Sequence, residues 1–186
     1  TPETKWIFTC IEGDTMKKLV QNGILISIAL VLSLAEKWFP LGLVVPLPGI
    51  KLGLANVVTM FALFYSGWKS AFIIAAIRSI LASLFYGGII SLALSLAGGL
   101  LALLIMVIMK KRYGKWFSLI GVSIGGAVAH NVGQVAMAAL IMKSPAVFYY
   151  LAVLLVTGVI TGVLTGTVAL YLFEKLRRIG FFKDSL

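Results

Sequence analysis

GIISLALSLAGGLLALLIMVIMKKR, running from Gly88 to Arg112, is the stretch that decides the fold. Gly88 to Met109 carries no charge, and a helix needs roughly 20 apolar residues to cross a hydrocarbon core of about 30 Å. Lys110, Lys111 and Arg112 then follow without a gap. Positive charge gathered at the end of an apolar run marks the side of the membrane on which that run stops.

The same alternation recurs on either side. Apolar runs fall at Leu19–Ala35, Leu52–Gly67, Ser70–Tyr86, Gly88–Met109, Trp116–Met142 and Ala146–Phe173, which gives six expected spans. Lys17, Lys18, Lys69, Lys110, Lys111, Arg112, Lys115, Lys175, Arg177, Arg178 and Lys183 fall on one side of this arrangement, against only Lys37, Lys51 and Lys143 on the other. An odd number of spans would destroy that asymmetry. The expectation is an all-α, multi-pass protein of the cytoplasmic (inner) membrane with both termini in the cytoplasm. Trp38, Trp68 and Trp116 stand at the expected interfaces, where amphipathic rings belong.

Composition supports the same class. The chain of 186 residues is 61% hydrophobic and 12% charged, against about 25% charged in soluble domains. The formal net charge of +10 does not point to nucleic acid, because the cations sit at the ends of apolar runs and form no continuous soluble patch. They suit orientation signals and contacts with anionic membrane lipids. One domain, 16–186, is expected. Residues 1–15 are a polar N-terminal segment, read as an appended remnant or the end of something fused upstream, and Met16-Lys17-Lys18 resembles a natural start. The basic flank and apolar run that follow act as a signal anchor, since no small-residue cleavage site precedes Glu36. The lone Cys10 leaves no internal disulfide and no cysteine-based metal site.

Residues 36–51 form the longest outer connection and hold Pro40, Pro46 and Pro48, three of the five prolines. The segment is mostly apolar, so it is expected to fold back as a cap over the helices; an interfacial hairpin is the alternative.

Polar groups inside hydrocarbon are costly and need a reason. Arg78 lies mid-span and stays protonated, with Ala71, Ala75 and Ala82 on its face; it is either a structural clamp or a ligand or coupling group. His130, Asn131 and Gln134 form the densest polar group at membrane depth, with His130 and Gln134 four apart on one face. They suit a heterocyclic or polar-aromatic ligand, or hydrogen bonds between helices. Lys51, Gly53 and Asn56 open the second span, where free N–H groups beside a lysine favour an anionic group. Glu36 closes the first span on that side, to pair with Lys37, Lys51 or a ligand amine. These groups either frame a pocket under the outer cap or form simple surface pairs.

Small residues suggest close helix crossings. Gly158, Gly162 and Gly166 line one face of the last span, for packing within the bundle or for docking another subunit. Ala29 and Ser33 repeat the spacing in the first span.

Several chemistries lack their residues. The acidic residues number six, and the two aspartates, Asp14 and Asp184, stand at opposite ends, so no carboxylate cluster is available to hold Mg²⁺ on a prenyl diphosphate. No phosphate-binding loop of ATPases appears. No span has a carboxylate at its centre, as a proton-driven carrier needs. No nucleophile stands beside a base, so the chain is expected not to be an enzyme and to use no cofactor.

Lys51-Leu-Gly-Leu-Ala-Asn56, Arg78, Ser95-Leu-Ala-Gly-Gly99 and His130-Asn-Val-Gly-Gln134 together resemble the Gx transporter family, whose members are often labelled heptaprenyl diphosphate synthase component I. The resemblance runs from Met16 to Arg178. That family looks like the substrate-binding S components of energy-coupling factor (ECF) transporters. The resemblance implies a six-helix bundle that takes a vitamin-like small molecule from outside and docks on a shared transmembrane coupling subunit with two ATPase subunits. It also implies that the whole S component topples to deliver its ligand. Flavin-like compounds and isoprenoid or quinone precursors are the implied candidates. S components commonly dock through alanines four apart on the first helix; here the pair is Ala29 and Ser33. Two other functions fit the residues: a non-catalytic membrane partner of a prenyl diphosphate synthase, and a self-contained secondary carrier.

Overall fold

In a computed structural model, residues 2–36, 53–86 and 88–178 are described, with side chains from Thr15 onward except those of Tyr86 and Leu176. They form α1 (Pro2–Ala35), α2 (Asn56–Tyr65), α3 (Trp68–Tyr86), α4 (Gly88–Lys110), α5 (Leu119–Met142) and α6 (Leu151–Arg178), with a short 3-10 helix at Pro145–Tyr150 before α6. Among the described residues there is no β-strand. Helices are the expected solution in hydrocarbon, since each satisfies its own backbone. Local chemistry sets the boundaries. The Ser118 hydroxyl accepts the Gly121 N–H at the start of α5, and Lys143 ends α5 in the left-handed region at φ 48°. Ser144 and Pro145 then start the 3-10 helix.

Among the described residues, five helices are long and apolar enough to cross a membrane. The second expected span differs. Its helix begins at Asn56, four residues later than expected, and has only 10 residues. At 1.5 Å per residue that is about 15 Å, half of a hydrocarbon core. The cause is local: Gly53 sits at φ +82°, a turn that an α-helix cannot include.

Contacts fix the direction of α2. Near its start the Ala55 N–H donates to Glu36 Oε1 at the end of α1, 3.3 Å away. At its end Gln21 Nε2 donates to the Tyr65 hydroxyl at 3.3 Å, and Lys110 Nζ donates to the Leu63 carbonyl at 2.7 Å. So α2 runs antiparallel to α1 and returns to the end of the bundle where Lys110 lies. There Phe61 and Phe64 pack on Phe173, with Tyr113 edge-on to Phe64. The Lys110 ammonium sits 5.1 Å above the Phe64 ring, a cation held on an aromatic face and at a helix C-terminus.

Helix α5 is the centre of the bundle, packed between α4 and α6, while α1 touches only α2 and α3. The glycine stripe of α6 faces α5. A methyl carbon on Gly162 would lie 2.6 Å from Ile124 Cα, and one on Gly166 2.9 Å from Ile120 Cα. The two backbones are therefore in direct contact, as small-residue stripes permit in membranes. Ser123 and Thr165 share a hydrogen bond of 2.9 Å across this crossing.

Candidate functional site: a buried polar centre at mid-bundle

Arg78, Gly98 and His130 each lie near the middle of a long helix, α3, α4 and α5 respectively. The start of the half-length α2 reaches the same level. Polar side chains from α1, α2, α3 and α5 meet there, and each is buried: Ser33, Asn56, Arg78, His130 and Gln134.

The arrangement follows from three close approaches. Arg78 reaches from α3 to both neighbours: Nη1 donates to Ser33 Oγ of α1 at 3.3 Å and Nη2 to Asn56 Oδ1 of α2 at 3.5 Å. The glycine pair of α4 makes room on either side, because a methyl on Gly99 would meet Arg78 Nη2 at 3.7 Å and one on Gly98 would meet His130 Nδ1 at 2.9 Å. The turn before α2 closes on α5. A methyl on Gly53 would lie 2.9 Å from Asn56 Nδ2 and 3.2 Å from His130 Cδ2, so Asn56 and His130 converge on one point.

On α5, Gln134 Nε2 lies 3.0 Å from His130 Nε2. With the amide donating, Nε2 is the acceptor and the ring proton sits on Nδ1. Asn56 is the other amide of the centre. Its Nδ2 is buried and has no hydrogen-bond partner among the described residues. Thr59 Oγ1, one turn along α2, is in the same position. A buried donor left unsatisfied costs about 1–3 kcal/mol, and such groups gather where a ligand or water completes the network.

The sequence-derived site is thus largely brought together. Asn56, Arg78, His130 and Gln134 share the centre, and Glu36 borders it through the α2 N-terminus. The Glu36 carboxylate occupies the place that the sequence reserved for an anionic ligand group, since it caps Ala55 N–H itself. Lys51 lies outside the described residues, as do the rest of the expected cap, 37–51, and Trp38. Asn131 is a correction. It points away from the centre: Nδ2 donates to the Leu154 carbonyl of α6, beside Gly158. The small-residue stripes take the packing alternative within the bundle. Ala29 and Ser33 are 0% and 1% exposed because α1 turns them onto α3, where Ser33 accepts from Arg78. Gly158, Gly162 and Gly166 are consumed by the α5–α6 crossing. Sequence reasoning missed Ser33 as a partner of Arg78; its place four residues from Ala29, on a face ending at Glu36, was the available signal. Among the described residues, no three His, Cys, Asp or Glu side chains group as a metal site.

Residues 25–172, which include every part of this centre, match the family model described as heptaprenyl diphosphate synthase component I. The chain belongs to that family. No curated protein and no solved structure matches it. The match extends from within α1 to the last turns of α6, so the polar centre, the half-length α2 and the glycine crossing all lie inside the family's span.

Proposed function

We propose that this chain is a substrate-binding membrane subunit, an S component of an ECF-type transporter, that receives a small organic molecule at the mid-bundle polar centre. The observation that supports the reading is the buried Asn56 amide with a donor still unmatched, at the broken end of α2 and facing His130. Transport sites in membrane proteins commonly sit near the midplane where a discontinuous helix ends. In this reading the chain crosses the membrane six times, with α2 making the inner half of its crossing. Both termini and the basic end then face the cytoplasm. The polar groups bind and orient the guest, and the energy comes from a coupling subunit with two ATPases. The chain itself performs no chemistry. Flavin-like molecules and isoprenoid or quinone precursors head the candidates.

The test has two stages. Protein purified from its native host is analysed for bound small molecules by mass spectrometry, and the molecule found is then assayed in liposomes with and without the ATPase subunits. Uptake that requires those subunits is expected, as is loss of retention in Asn56→Ala or Gln134→Ala with folding intact. Uptake by the chain alone, driven by an ion gradient, would instead make it a secondary carrier.

The family description supports a second reading, a non-catalytic membrane partner of a prenyl diphosphate synthase. It predicts that tagged protein retrieves the synthase subunit and no ATPase; retrieval of the coupling subunits would exclude it.

A further inference from the structure

The turn between α4 and α5 has no part in the polar centre. Its sequence, Lys110-Lys-Arg-Tyr-Gly-Lys-Trp116, carries four cations in seven residues. Its backbone is fixed by its own hydrogen bonds: Tyr113 N–H to the Lys110 carbonyl, Trp116 N–H to that of Arg112, and Gly114 N–H to that of Phe117, at 3.1, 3.0 and 3.1 Å. Gly114 supplies the left-handed residue at φ +80°. Against this turn lies an open cleft of about 420 Å³ lined by Tyr113, Lys115, Trp116, Phe117, Leu119 and Leu170, among others. That volume falls in the range of about 300–1,000 Å³ typical of small-ligand sites.

We propose that this cleft holds the headgroup of one anionic phospholipid, with its phosphate against Lys115 and Arg112 and its acyl chains running along α6. Three observations carry this. The charge is available: Lys110 is spent on the Leu63 carbonyl, but Arg112 and Lys115 are exposed, and Arg112 lies 5.9 Å over the Trp116 ring that lines the cleft. The level is right: Trp116 is 75% exposed at the end of two membrane-length helices, where indole rings meet headgroups. The shape is amphiphilic: Leu119 and Leu170 form an apolar side, and Leu170 continues along its own face of α6 through the exposed Val163 and Val159, seven and eleven residues back. A soluble phosphate would gain nothing from that flank. Glu174 brings a carboxylate to the same end of α6, beside Lys175, Arg177 and Arg178.

Native mass spectrometry of the full chain in detergent tests the assignment. Phosphatidylglycerol and phosphatidylcholine of identical acyl chains are titrated separately. One phosphatidylglycerol is expected to stay bound at a concentration at least tenfold below that needed for phosphatidylcholine; equal retention overturns the proposal. Arg112→Gln with Lys115→Gln should weaken retention on the order of twenty-fold, from roughly fivefold for each basic residue near a lipid surface. Lys175→Gln with Arg177→Gln removes the same charge from α6 and should leave retention nearly unchanged; an equal loss there would mean diffuse attraction and no cleft site. Inorganic phosphate at millimolar concentration should not displace the lipid. Displacement by phosphate, or by farnesyl diphosphate below the phosphatidylglycerol concentration, would assign the cleft to another phosphate-bearing ligand and sink the proposal.

Discussion

Gly98→Ala probes the closest helix approach at the polar centre. The added methyl would lie 2.8 Å from the His130 carbonyl oxygen, 2.9 Å from Gln134 Cγ and 2.9 Å from His130 Nδ1. Non-bonded contacts are favourable at about 3.5–4.0 Å, so α4 and α5 must part by several tenths of an ångström at least. The carbonyl belongs to the α5 backbone and cannot swing aside. Overpacking of this kind costs about 1–3 kcal/mol. Against it stands the gain in helix propensity on replacing glycine, about 1 kcal/mol. The adjacent glycine separates the two effects. A methyl on Gly99 meets Arg78 Nη2 at 3.7 Å, an ordinary contact, so Gly99→Ala takes the same propensity gain without the clash. The difference between the variants is then the overpacking alone. For chains of 150–250 residues, 1 kcal/mol shifts the midpoint by about 2–4 °C. Gly98→Ala should therefore melt about 2–12 °C below Gly99→Ala in one detergent, read by intrinsic tryptophan fluorescence. Equal midpoints would refute the α4–α5 contact at His130 and, with it, the geometry of the centre.

Asn131→Ala should lower stability by about 0.5–1.5 kcal/mol, the usual worth of one hydrogen bond, and leave ligand retention unchanged. Lost retention at an unchanged melting temperature would return Asn131 to the site. A double-mutant cycle of Ser123→Ala and Thr165→Ala should give a coupling of about 0.6 kcal/mol, the average for hydrogen bonds between membrane helices; a coupling near zero would mean that α6 does not hold this register. Lys110→Met keeps most of the apolar stem but removes the ammonium from the Leu63 carbonyl and the Phe64 face. It should cost about 1 kcal/mol, and a melting curve identical to that of the unaltered chain would show that the contact carries no weight.

Hydropathy and charge made the membrane helices legible, because both report directly on the solvent each residue meets. Five of the six expected runs became helices of spanning length. The second did not, although Leu52–Gly67 carries no charge. Hydropathy cannot register a backbone turn, and the one clue was Gly53. The polar centre was legible for a similar reason: Asn56, Arg78, His130 and Gln134 stand out in apolar surroundings. Their partners were less so. Arg78 meets Ser33, more than forty residues away, and small residues give the same signal whether they face a neighbouring helix or a second protein. That is why Ala29, Ser33 and the α6 glycines admitted two interpretations, and in the structure they pack within the bundle. Asn131 shows the remaining limit. It adjoins His130 in sequence, but neighbours on a helix point about 100° apart, and that angle sends it to α6.

The short α2 connects these observations. A helix that starts inside hydrocarbon leaves its first N–H groups away from water, and each unsatisfied group there costs several kcal/mol. The chain meets part of that cost with a buried carboxylate, Glu36, on the Ala55 N–H. Leu52 and Leu54 would fit a longer apolar helix without either expense. The interruption persists because it brings Asn56 and His130 to one point, and Gly53 is the residue that allows it, since any side chain there would occupy that space. The turn at Gly53 thus both shortens α2 and sets Asn56 against His130.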